Sequence, residues 1–165
     1  MTTDELILKT LHLTPLTEEL RDSEIEILAG IMTVQRYKAG DLIVEPGHNP
    51  LGESLMILAE GEAEIHAMVG DEPMTLQLKK PGDLASIISF VAGKTVAINA
   101  RVEVKQDGAV LLLERARFES LLYTHPAIIY YVMRGLVRYM HGVARRKTAE
   151  SAEMNNYFYH VHGRY

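Results

Sequence analysis

The chain has 165 residues, of which 47% are apolar and 24% charged, with a formal net charge of −5 and no cysteine. This length predicts one folded domain, and the apolar fraction excludes a disordered chain. The acidic balance argues against broad electrostatic binding to nucleic acid or an anionic membrane, and zero cysteine excludes disulfides, thiolate nucleophiles and Cys-ligated zinc. The longest apolar run, residues 127–133, is far short of the roughly 20 residues that cross a bilayer. The N-terminal MTTDELILKT lacks the basic-then-apolar plan of a signal peptide, so a soluble, cytoplasmic protein is expected.

Residues 1–19 read as an N-terminal helical extension, with a short turn opening at Thr14-Pro15. Ser23 and Glu26 have capping-box spacing, and Ile25, Leu28, Ala29 and Met32 follow at helical intervals, predicting a helix over 23–32. From 33 to 114 the period becomes two. Ala63, Ile65, Ala67 and Val69 alternate with polar residues, as do Val96, Ile98, Ala100, Val102 and Val104. Glu60-Gly61-Glu62, Pro81-Gly82-Asp83 and Asp107-Gly108 read as turns between short strands. Such spacing predicts a mostly β fold with flanking helices, an antiparallel barrel or jelly roll.

Residues 84–92 interrupt the strand series and suit a short helix. Phe118, Leu121 and Leu122 form another, ended by Thr124-His125-Pro126. A long helix over 126–156 presents Ile128, Tyr131, Val132, Gly135, Leu136, Tyr139, Met140 and Val143 on one broad face. This face could pack on its own domain or on a second copy. Residues 157–165 form an aromatic tail, opened by Tyr157-Phe158-Tyr159.

The runs Tyr37-Lys38-Ala39-Gly40-Asp41-Leu42-Ile43, Glu45-Pro46-Gly47 and Ser54-Leu55-Met56-Ile57-Leu58-Ala59-Glu60-Gly61-Glu62, followed by Pro81-Gly82-Asp83-Leu84, resemble a cyclic-nucleotide-binding domain. Leu113, Arg115, Phe118, Leu121, Leu122 and Pro126 resemble the helix after its barrel. The resemblance runs from about residue 20 to 143, with 20–125 as the barrel and 126–156 as a dimerisation helix. It implies a ligand phosphate seated over a short cassette helix, on backbone N–H groups and an Arg, with a Glu on the ribose.

The sequence departs from that pattern where the ligand would sit. Ser86 and Ile87 stand where the family has Gly-Glu, and the later Pro-Arg pair is deleted or replaced at Lys94. The tentative pocket is therefore Gly82, Ala85, Ser86, Ile87, Ile88, Lys94, Thr95 and Asn99. No cofactor is expected; the ligand that the resemblance implies is a cyclic nucleotide or another small anion.

Catalysis and a metal find little support. Of the seven histidines, His160 and His162 share a His-x-His spacing but fall in the tail, outside any barrel. Arg134, Arg138, Arg145, Arg146 and Lys147 make the long helix locally basic, which reads as a solvated flank, because only a short stretch follows it. The expectation is a non-enzymatic regulatory or protein-interaction module that does not hold cAMP or cGMP in the usual way. Its long helix would pair with a second copy through Ile128, Tyr131, Val132, Gly135, Leu136, Tyr139 and Val143, without direct contact to nucleic acid or membrane. The alternative is a sensor of a different small molecule or nucleotide, held at the cassette helix by Ser86 and Lys94.

Overall fold

The computed structural model describes residues 1–69, 71–93 and 99–162, with the backbone alone described at 69 and 147–162. Three segments precede the sheet. Helix α1 (Thr3–Leu11) opens on a capping box: the Thr2 hydroxyl accepts from the Glu5 amide at 3.2 Å, and the Glu5 carboxylate accepts from the Thr2 amide at 2.7 Å. A 3₁₀ turn follows at Pro15–Thr17, then helix α2 (Asp22–Ala29). Helix α2 starts one residue before the expected cap. Arg21 holds the cap position without a side-chain capping bond, its guanidinium donating instead to Glu24 at 2.6 Å, so the Ser23–Glu26 box is not made.

Among the described residues six strands follow: β1 (Thr33–Tyr37), β2 (Leu42–Val44), β3 (Ser54–Val69), β4 (Glu72–Leu78), β5 (Leu84–Ala85) and β6 (Ala100–Glu114). All pairings are antiparallel, in the order β1-β6-β3-β4, with β2 also on β6 and β5 on β3. Among the described residues this path is a jelly roll, not closed into a barrel.

Two expected turns are absent. Glu60-Gly61-Glu62 lies inside β3 and Asp107-Gly108 inside β6, and the register between these strands shifts at that level. The two glycine sites are a paired irregularity at which two long strands bend together, a use of glycine that looks like a turn in sequence.

The long strands separate two apolar cores. Leu55, Ile57 and Ala59 with Leu111 and Leu113 face the helices, packing with Leu11, Leu28, Ile128 and Val132. Met56 and Leu58 with Val110 and Leu112 point the other way, into the roll, alongside Ala63, Ile65, Val102 and Val104. The alternation expected for 63–65 and 102–104 is therefore real; 96 and 98 lie outside the described residues.

Helix α3 (Ile87–Ala92) interrupts the strands as expected, and α4 (Arg115–Glu119) with a 3₁₀ turn at Ser120–Leu122 leads to α5 (Pro126–His162). Helix α5 runs past the expected boundary at 156, so 157–162 continue the helix rather than beginning a separate tail. Among the described residues no helix is long and apolar enough to cross a membrane.

Candidate functional site

The cassette starts at a turn that the sequence builds tightly. The Gly82 amide donates to the Leu58 carbonyl at 2.8 Å, and one Asp83 carboxylate oxygen accepts from the Lys79 and Lys80 amides, each at 3.0 Å. Gly82 has φ 97°, and a β-carbon there would lie 2.6 Å from the Leu13 carbonyl oxygen. Only glycine fits both the backbone conformation and the close approach.

The chain then passes through β5 into α3. Ser86 sits at the helix N-cap with φ 61°, a left-handed conformation found at no other non-glycine residue among those described. It makes no side-chain capping bond there. A glycine-type backbone thus persists at the position where the family resemblance places glycine, although the residue is serine.

The side chains around this turn are apolar. Ala85 is buried in the roll core, within the cluster that includes Met56, Leu58 and Leu78. Ile87 leans on the helical core, Ile88 is exposed, and Phe90 is buried with its ring 5.3 Å from that of Phe118. Among the described residues, the buried polar ones, Thr10, Thr14, Thr17 and Ser54, lie outside the apolar cluster that fills the roll, against which Tyr37 also packs. None of the cavities described is lined by Ala85, Ser86, Ile87 or Ile88.

Of the residues expected to line the pocket, Gly82, Ala85, Ser86, Ile87 and Ile88 are contiguous around this turn. Asn99 is an exposed residue whose carbonyl accepts from the Met68 amide at 3.3 Å. Lys94 and Thr95 lie outside the described residues. The far end of α3 is closed by Arg115, whose guanidinium approaches Gly93 and pairs with Glu119 at 2.8 Å and Glu53 at 3.8 Å. Its bond to Glu119, aided by the Glu53 charge, holds Arg115 in its charged form more firmly than usual.

Helix α5 uses its expected dimer face on its own chain. Ile128, Val132 and Leu136 are essentially fully buried in the helical core, with Tyr131 and Tyr139 packed against it. A β-carbon on Gly135 would lie 2.8 Å from the Pro15 carbonyl oxygen. Ile128, Val132, Gly135 and Leu136 are thus taken up within the chain, while Tyr131, Tyr139 and Val143 are only half-buried. Burial pushes the Tyr139 hydroxyl above its ordinary pKa, while its bond to the Leu84 backbone pulls in the opposite direction.

The basic character of this helix is also partly consumed. Glu19 pairs with Arg138 at 2.6 Å and Arg134 at 3.1 Å, and Glu18 lies 3.6 Å from Arg138. What α5 leaves open is a second stripe: Tyr130, Val137 and Met140, exposed at 59%, 65% and 44%, with Met133 between them half-buried against the helical core. Positions 130, 133, 137 and 140 keep the alternating three-and-four spacing of a coiled-coil seam. The sequence reading missed it because the buried stripe next to it is more apolar. Among the described residues no group of three or more His, Asp or Glu side chains gathers to hold a metal ion.

A jelly roll flanked by helices, with a short helix set into the strand series and a long helix leaving it, is the arrangement that the sequence resemblance implies. The family model of the cyclic nucleotide-binding domain matches residues 34–125, and the chain belongs to that family. No curated protein matches the sequence.

Solved structures share the fold at low identity. A cyclic nucleotide-binding domain from Methylobacillus flagellatus superposes with a TM-score of 0.72 at 16% identity, over 89% of this chain and 81% of that one. The catabolite activator protein of Thermus thermophilus gives 0.64 at 22%, over 84% and 63%. The regulatory subunit of a cAMP-independent protein kinase A from Trypanosoma brucei gives 0.63 at 24%, over 82% and 46%. The chain thus spans less than two thirds of the latter two proteins.

Proposed function

We propose that the chain is a non-enzymatic regulatory or protein-interaction module of the cyclic-nucleotide-binding fold, and that its cassette does not hold cAMP or cGMP in the family's way. One observation carries this reading. At Ser86 the cassette keeps a glycine-type backbone but carries a serine, with Ile87 next to it, beside a roll core in which no polar residue is buried among those described. A ribose would face an apolar wall, and each lost bond to a charged group is worth about 1.5–3 kcal/mol. The trypanosomal kinase subunit, described as cAMP-independent, gives the same fold a precedent for that behaviour. Isothermal titration with cAMP and cGMP tests the reading: no binding at micromolar ligand is expected, and stoichiometric micromolar binding of either overturns it.

The module acts as a homodimer through α5 in this proposal, with the seam moved to Tyr130, Met133, Val137 and Met140. Support comes from the exposure of that stripe, since contiguous apolar surface of this kind marks interaction sites. Light scattering over a concentration series reads the mass directly; a strictly monomeric mass removes this part.

A further inference from the structure

Outside the roll, between β4 and α5, lies a groove of about 520 Å³ that meets the cassette turn at Lys79, Lys80 and Asp83. That volume is in the range of small-molecule sites. Three cations line it: Lys79 and Lys80 just beyond β4, and Arg146 from α5. None of the three enters an ion pair among the described residues, in contrast to Arg134 and Arg138 on the same helix. Among the described lining residues the one carboxylate, Asp83, already accepts from the Lys79 and Lys80 backbone amides.

The rest of the lining is not uniformly polar. Leu76, Val143 and the half-buried ring of Tyr139 form an apolar wall beside the cations. Cations converging in a concavity focus their field, whereas the same charges on a convex surface are spread and screened. Two ammonium groups and one planar guanidinium suit oxyanions with several charges, and the apolar wall suits a body attached to them.

We propose that this groove binds a small molecule carrying adjacent phosphate groups on an aromatic or apolar body, of which a nucleoside diphosphate is the simplest form. The bound molecule would bridge the edge strand β4 to α5. The assignment is independent of the cassette reading, because the groove would remain even in a chain that bound cyclic nucleotide.

The test is isothermal titration of the full chain with ADP at low and high salt. Saturable one-site binding that weakens as salt rises is expected. Lys80→Ala and Arg146→Ala should each weaken it about tenfold or more, without shifting the melting temperature, because both side chains are exposed. Absence of ADP binding at millimolar concentration overturns the proposal. So does binding that both substitutions leave intact, which would place ADP elsewhere. An acidic peptide that binds where ADP does not would make the groove a protein-docking surface and overturn the small-molecule assignment.

Discussion

Gly61 and Gly108 meet across β3 and β6 with no room for a β-carbon on either. One added to Gly108 would lie 2.0 Å from the Glu60 carbonyl oxygen, and one added to Gly61 would lie 2.6 Å from that of Asp107. Backbone cannot rotate aside as a side chain can. Gly108→Ala is therefore expected to cost about 3 kcal/mol or more. Gly142, in α5, has nothing within 4 Å of its would-be β-carbon, and Gly142→Ala should gain up to about 1 kcal/mol. Urea denaturation of the two variants checks the contrast, and equal effects would refute it.

At Ser86 the same logic runs in reverse. A serine held at φ 61° carries a conformational cost of about 1 kcal/mol that glycine escapes. Ser86→Gly should stabilise the chain by about 0.5–1 kcal/mol, after allowing for glycine's looser unfolded state. Chemical denaturation measures this, and a loss of stability would show that the serine hydroxyl contributes more than its backbone costs.

Asp107 gives the fold a pH dependence of known sign. Its carboxylate accepts from the Ala39 amide at 2.8 Å and from the Lys38 ammonium at 3.2 Å, and the amide bond above all holds its pKa below the ordinary value. A carboxyl with a depressed folded pKa stabilises above its unfolded pKa and loses that effect as pH falls through the folded one. Wild type should therefore exceed Asp107→Asn in stability at neutral pH. The gap should close on acidification below about pH 4, as followed by melting temperature across pH.

The two stripes of α5 predict opposite phenotypes. Leu136 is buried in its own chain, so Leu136→Ala should cost about 2–5 kcal/mol and leave the association state alone. Val137, one residue on, is 65% exposed, so Val137→Ser should lower the dimer fraction while barely changing monomer stability. Paired melts and light scattering separate the two, and a loss of dimer in Leu136→Ala alone would restore the buried face as the seam.

The helices and the strand alternation were legible because Ala63–Ile65 and Val102–Val104 are buried on one side only. The centre of the sheet was harder to read. Leu55, Met56, Ile57 and Leu58 are buried on both faces, one set in each core, and a doubly buried strand has no period to read. Glycine was ambiguous for a related reason. At 82 it makes a turn, at 61 and 108 it admits a neighbouring strand, and the composition is the same. The capping box that forms, at Thr2 and Glu5, went unread, while the one read at Ser23 and Glu26 is not formed, because spacing alone does not fix where a helix starts. Which apolar stripe of α5 faces inward could not be read, because that depends on where Pro15 and Leu16 lie.

The short segment 13–16 is gripped from two directions. Gly82 presses on the Leu13 carbonyl from the cassette side, and Gly135 presses on Pro15 and Leu16 from α5. Both contacts are backbone against backbone, so no rotamer change can absorb a displacement between them. The segment sits like a washer between two plates, so a shift of the cassette turn would press on α5 in its third turn, at Gly135. A rearrangement too small to repack a side chain would then still reach the long helix.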